Sequence, residues 1–248
     1  MGATKISLIT VTFNAGGTIE QCIRSVIGQN YENVEYIVID GASTDNTIQI
    51  INQYRNHIHH FVSEADKGIY DAMNKGIKFA TGDVVGMLNA DDVFSNNNVL
   101  ADIAAVFEDK SVRILYGDLD YVTEAGKIFR KWRTGRYTQG KYNWGWMPPH
   151  PTFYCRRELF DDYGLYGLDF GTAADYELMA RLMHKYRINA YYLEKVIIDM
   201  KTGGTSNKNL GSRVKGLIGD LKAMSSSGIR APFITVLLKR VRKIGQYL

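Results

Sequence analysis

Short β-branched runs alternate with stretches of helical periodicity through the first half of the chain. Residues 5–12 (KISLITVT) form a run of the kind a buried parallel strand requires. Gly16 and Gly17 mark the loop that follows, and Thr18-Ile19-Glu20-Gln21 predicts a capping box opening a helix with Cys22, Ile23, Val26 and Ile27 on its apolar face. Residues 34–39 (VEYIVI) predict a second strand that halts at Asp40. Ser43 or Thr44 is then expected to cap a helix that buries Ile48, Ile51 and Tyr54. A third short strand over 60–63 leads through Glu64-Ala65-Asp66-Lys67-Gly68 to a helix over 69–80 with Met73, Ile77 and Ala80 inward. Thr81-Gly82-Asp83 turns the chain into a strand over 84–88, which delivers Asn89-Ala90-Asp91-Asp92 to its end. Four such units in succession predict a doubly wound α/β fold with a mostly parallel sheet.

Beyond residue 95 the pattern changes. A helix over 96–109 and a strand over 114–118 ending in Asp118 precede a stretch, 121–146, that interleaves aromatics with Lys127, Arg130, Lys131, Arg133, Arg136 and Lys141. Such interleaving suits sugar rings or phosphates, and equally a solvated β-hairpin. Met147-Pro148-Pro149-His150-Pro151 predicts a rigid turn, 157–163 a short helix, and Asp175 the first turn of a helix that buries Leu178, Leu182 and Met183. Residues 188–199 read as a strand and 202–207 as a glycine-rich loop. From Phe233 onward, Ile234, Leu237, Leu238, Val241 and Leu248 share one helical face while Lys239, Arg240, Arg242 and Lys243 fall on the other. A basic amphipathic helix suits an anionic membrane surface, and docking onto the domain with its charges in water is the competing reading.

Composition narrows the classes. At 248 residues, with 45% apolar and 23% charged residues and a formal charge of +4, the chain is an ordinary globular one, and no nucleic-acid partner is expected. Cys22 and Cys155 lack metal-ligand spacing, so free thiols are expected. The first residues run straight into a strand without a signal peptide, and no apolar run approaches the ~18 residues of a membrane span, so a cytoplasmic location is expected, with peripheral attachment to the inner membrane face through the tail.

The chemistry gathers at strand ends. Asn14, Asp40, Glu64 and Asp91 fall at or just past predicted strand ends, where open α/β sheets bind ligands. Each also has an ordinary duty open to it as a turn, cap or surface residue. Asp91 and Asp92 together suit a hard divalent cation sharing its shell with substrate phosphates. Neither a P-loop nor a strand-linked G-x-G-x-x-G is present, which argues against kinases, NTPases and dehydrogenases.

Taken in order, TVTFNAGGTIEQCIRSVIGQ, VIDGASTDNT, SEADKGIYDAMNKGIKFATGD, MLNADD and AADYELMARL resemble the family 2 glycosyltransferases of GT-A fold, over roughly residues 5 to 205, and most nearly bacterial enzymes of capsule, exopolysaccharide or O-antigen assembly. The resemblance implies a GT-A domain over 1–205, with a nucleotide-sugar half over 1–118 and an acceptor half over 119–205, followed by a helical tail over 206–248. It implies that Thr12 and Asn14 line the nucleotide pocket, that Asp40 accepts from the base, typically uracil, and that Glu64 belongs to the donor side. Asp91, with Asp92 beside it and Asn89 and Ala90 before it, would bridge Mn²⁺ or Mg²⁺ to the donor diphosphate. Asp175 would be the general base of an inverting transfer, and His150 and Trp146 would face the acceptor, a saccharide expected on a polyprenyl diphosphate.

Three departures from the family pattern stand out. Asn89 replaces the first acid of the DxD motif, Ala174 stands where many members have a glutamate, and Met73 where others have an arginine, which leaves Lys67 and Tyr70 for the donor phosphates. The alternatives are a sugar-phosphate nucleotidyltransferase, for which the first strand lacks a glycine-rich, basic activating loop, and a non-catalytic carbohydrate-binding module, which would have no reason to carry both Asp91 and Asp175.

Overall fold

Seven consecutive buried residues, Ile6–Thr12, form the first strand, β1, and the sheet grows outward from it. The computed structural model describes residues 3–123, 125–201 and 210–246, with side chains from 214 in the last segment; the 202–207 loop lies outside them. Strands β2 (Val34–Asp40), β3 (His60–Ser63) and β4 (Val84–Asn89) join β1 in the order β3-β2-β1-β4, all parallel. Next to β4 the sense reverses: β8 (Tyr154–Arg156) is antiparallel to it and to β6 (Ile114–Val122). Strand β9 (Ala190–Lys201) runs parallel to β6, and β5 (Asp92–Phe94) closes the far edge against β9, while β7 (Ile128–Trp132) forms a hairpin with β6.

Successive residues of a strand face opposite sides, and here both sides are covered. Ile9, Val11, Ile37, Ile39, Val85 and Met87 face helices α3 (Ile69–Phe79), α5 (Glu158–Tyr163) and α6 (Ala174–Ala180). Ile6, Leu8, Val38 and Leu88 face α1 (Ile19–Ile27), α2 (Thr47–Gln53) and α4 (Val99–Phe107). Burial on both faces is what continuous apolar strands require. The close approach of α3 to β1 depends on Gly76, where a Cβ would lie 2.4 Å from Ile9 Cγ2.

Local chemistry differs from the sequence expectation in three places. Thr18 precedes α1 without capping it: its hydroxyl donates to the Ala15 carbonyl (3.4 Å), and Gln21, which would close the box, accepts from Lys201. Helix α2 starts at Thr47, not after Ser43 or Thr44. Asp45 accepts the Thr47 N–H (3.0 Å), while Ser43 and Thr44 are engaged with Asp40 and Asn14. Asp118 does not end a strand. It lies inside β6, buried, accepting from the Thr134 N–H and the Tyr192 hydroxyl.

The tail is packed into the same core. Helix α7 (Leu210–Ser226) contributes Ala223 and Met224 to the α6 side, and α8 (Pro232–Arg242) adds Val236. Helix α8 crosses the turn at Gly145, whose φ is +73° and whose Cβ would come 2.3 Å from the Lys239 backbone nitrogen. Gly145→Ala should therefore both strain the backbone and push α8 away, lowering stability by about 2 kcal/mol or more. Thermal unfolding checks this, and an unchanged midpoint would refute the docking described.

Candidate active site at the carboxyl edge of the parallel strands

Strand register fixes the first part of the site. Thr12 pairs with Asp40 and Asp40 with Ser63, so three strand ends stand level, and Asn89 pairs with Val11 one step back on β4. Asp40 is completely buried and accepts from the Ser43 N–H (2.9 Å), the Ser43 hydroxyl and the Ser63 hydroxyl (2.6 Å). Three of a carboxylate's roughly four acceptor positions are thus filled from within the chain. Asn14 accepts the Thr44 N–H (2.9 Å) and gives its own N–H to Ser43, which locks the loop after β1 to the loop after β2. Asn14 and Ala42 hold positive φ, +49° and +60°. For Ala42 that is a sparsely populated conformation of the kind found where a loop is shaped for a ligand. Thr12 Oγ1 is buried without a hydrogen-bond partner.

The second part is the turn from β4 into β5. Asp91 is partly exposed in that turn, whereas Asp92 is 1% exposed and begins β5. Asn89 donates its amide N–H to Asp92 Oδ2 (2.9 Å), and Oδ1 of Asp92 has no partner. Burial first, and the Asp91 charge second, push the Asp92 carboxyl up to about 8. An oxygen-only pair with an unsatisfied carboxylate oxygen suits a hard cation that takes its remaining ligands from phosphate and water. Among the described residues no cluster of three or more His, Cys, Asp or Glu forms a closed protein cage for a metal, so the substrate would have to complete the shell.

The third part comes from the other half of the chain. The antiparallel pairing of Gly86 with Tyr154 carries the preceding turn, His150–Thr152, toward the carboxyl end of β4. His150 is buried, its Nε2 2.8 Å from the Tyr166 hydroxyl; burial lowers it from the ordinary histidine value, and the Asp175 charge works the other way. Asp175 is partly exposed in the first turn of α6 and accepts the Tyr176 N–H (2.7 Å). Its charge also reaches Tyr70 and Tyr166, and burial first, then Asp175, raises the Tyr70 hydroxyl. The charge of Asp175 thus reaches His150, whose turn packs on β4.

Several predicted residues sit differently from their expected neighbours. Tyr70 donates to the Thr172 carbonyl (3.2 Å) and packs on Tyr166, so it stands with Asp175 and not with Asp91. Glu64 is paired with Lys75 (2.9 Å) on the surface. Lys67 is exposed, with its backbone N–H held by Asp71. Trp146 is 3% exposed, donates its indole N–H to the Thr134 carbonyl, and is walled in by Tyr116, Tyr137 and Tyr142. Its ring is part of the core and offers no open stacking face. Ala90 is buried at the turn.

Sequence reasoning passed over four residues. Phe13 is an exposed aromatic at the end of β1, and Asp66 lies so close to Gly41 that a Cβ there would meet Asp66 Oδ2 at 2.6 Å. Asn74 exchanges two hydrogen bonds with the backbone of Tyr166 (2.9 and 3.0 Å), pinning the segment that carries the His150 partner onto α3. Phe13 and Asp66 were legible as polar or aromatic residues directly after strands. The Asn74–Tyr166 link, 92 positions apart, left no local signal.

Residues 7–164 match the family described as Glycosyl transferase family 2. Over 241 residues the chain is 30% identical to an uncharacterized glycosyltransferase of Mycobacterium tuberculosis, covering 93% of this chain and 87% of the relative. It is 29% identical over 249 residues to a PGL/p-HBAD biosynthesis glycosyltransferase of Mycobacterium bovis, covering 98% and 93%. Among solved structures it is similar in fold to Staphylococcus aureus TarS 1–349 in complex with UDP, with a TM-score of 0.67 at 19% identity over 94% of this chain and 68% of that one. A mannosyltransferase of Pyrobaculum calidifontis in complex with GDP-Man and Mn²⁺ gives 0.67 at 18%, over 96% and 69%.

A carboxyl group raised in the folded chain and ordinary in the unfolded one binds more protons when folded, so its contribution to stability declines as pH rises from about 4 to about 8. In metal-free protein, Asp92→Asn should unfold at a higher temperature than the parent at about pH 8, with the gap shrinking toward pH 5. A gap independent of pH would contradict the account of Asp92.

Proposed function

This chain belongs to glycosyl transferase family 2 and is a glycosyltransferase, and we propose that it catalyses metal-dependent, inverting transfer of a sugar from a nucleotide-sugar, of the UDP type, to a lipid-linked saccharide in surface polysaccharide synthesis. The observation that carries the proposal is the acidic turn at the end of β4, where buried Asp92 keeps an unpartnered carboxyl oxygen beside Asp91, and Asp175, whose charge reaches His150 in the turn packed on that strand, supports it. Solved neighbours in complex with UDP and with GDP-Man and Mn²⁺ support the donor class and the cation.

In this reading the nucleoside lies over the ends of β1 and β2. Phe13 offers a ring face to the base, Thr12 Oγ1 supplies an unpaired polar atom, and Asp40 and Asn14 hold the two loops in shape. Asp91 and Asp92 would hold Mn²⁺ or Mg²⁺. The cation, when bound, stabilises the charge that develops on the diphosphate leaving group. Asp175 accepts the proton of the acceptor hydroxyl as its oxygen attacks the anomeric carbon and the bond from that carbon to the diphosphate oxygen breaks. Attack opposite the leaving group inverts the centre. His150, Tyr166 and Tyr70 wall the base and fix its surroundings. A lipid-linked acceptor brings the chain to the inner membrane surface, and the C-terminal helix is the element suited to meet it.

Asp175→Asn should retain donor binding and lose about 10²- to 10⁴-fold in turnover, the range general base catalysis supplies. Asp91→Ala should weaken donor binding in the presence of Mn²⁺ and leave the weak binding without metal unchanged. Titration calorimetry and a donor-consumption assay separate the two, and normal turnover by either variant would overturn its assignment.

A further inference from the structure

Helix α8 is docked by the wrong face for an ordinary surface helix. Thr235 and Val236 are buried, and Lys239 pairs with Asp220 (2.8 Å) over the Tyr176 ring. Phe233, Ile234, Leu237 and Val241, with Ile244 just beyond, occupy the opposite side at helical spacing and point to solvent, Phe233 at 75% and Leu237 at 62% exposure. Trp144 is exposed next to them, since its neighbour Asn143 accepts from the Arg230 N–H and the Thr235 hydroxyl. A contiguous exposed apolar face with an adjoining Trp marks an interaction surface rather than scatter.

Beside this face lies a cavity of about 350 Å³ between the β7 hairpin and the end of α8, whose walls include Lys131, Arg133, Lys239, Arg242 and Lys243 and no carboxylate. Arg133 is neutralised from outside the cavity by Asp120 and Lys239 by Asp220. Among the described residues, Lys131, Arg242 and Lys243 form no ion pair. Desolvation of its ammonium, then the Lys239 and Arg130 charges, lowers Lys243 from the ordinary lysine value. Lys131, Arg242 and Lys243 are exposed at the rim of the cavity, where an anion from solvent or a membrane surface can reach them together.

We propose that this cavity is a binding site for the phosphate of an anionic membrane lipid, whose acyl or prenyl chains lie along the apolar face of α8. Charge complementarity selects the occupant: a protein partner for the apolar face alone would not need three unpaired cations beside it, and a free phosphate would not need the apolar face. The inference rests on the reading that α8 meets a membrane and adds the group recognised there. Each cation near an anionic surface contributes about fivefold in partition.

The test is cosedimentation of the full chain with vesicles of phosphatidylcholine, alone or mixed with phosphatidylglycerol, without donor or divalent metal, alongside calorimetric titration with inorganic pyrophosphate. Binding should favour the anionic vesicles, and Lys131→Glu combined with Arg242→Glu should abolish that preference while leaving metal-dependent donor binding intact. Leu237→Glu combined with Val241→Glu should abolish binding to both vesicle types. Equal partition of the parent on neutral and anionic vesicles would overturn the phosphate site while leaving membrane attachment standing. Sedimentation with neither vesicle, with or without pyrophosphate binding, would overturn both, and neither result bears on the transferase assignment.

Discussion

The parallel pairing of β1 with β2 and β4 is the constraint from which the site follows. With β3 added beside β2, it brings Thr12, Asp40 and Ser63 level and Asn89 one step behind, so that the loops after these four strands leave over one edge. An electrostatic problem comes with that geometry. Asp91 and Asp92 are adjacent at the end of β4, and without a cation the buried member is relieved by holding its proton and the Asn89 amide. The arrangement is stable as it stands and still leaves one carboxylate oxygen unpartnered.

The opposing half contributes through packing more than through register. Asn74 on α3 fastens Tyr166, Tyr166 holds His150, and His150 lies within reach of the Asp175 charge. Helix α3 and the turn that carries His150 are thereby one mechanical unit. Substitutions at Asn74 would be felt at Tyr166 and, through it, at His150.

The parallel strands and the acids at their ends were legible because burial on both faces demands unbroken apolar runs, and the polar residue that ends each run is then conspicuous. Residues whose role depends on distant partners were not. Trp146 sits in a basic, aromatic stretch that suits a sugar platform, and only the fold shows that Tyr116, Tyr137 and Tyr142 enclose it. Asp118 ends an apolar run in the sequence, yet Thr134 and Tyr192 supply partners that let β6 continue through it. The amphipathic character of α8 was equally plain, but the choice of docked face turns on Gly145 and Asp220, which lie well before the helix.

The account stands on two groups of carboxylates meeting across one cleft, and a crystal structure with Mn²⁺ and an intact nucleotide-sugar tests it most directly. It should show an Asp91 oxygen among the ligands of the cation, together with oxygens of the donor, and Asp175 on the opposite side of the anomeric carbon from the leaving oxygen. A cation bound away from Asp91, or Asp175 on the same side as the diphosphate, would contradict it.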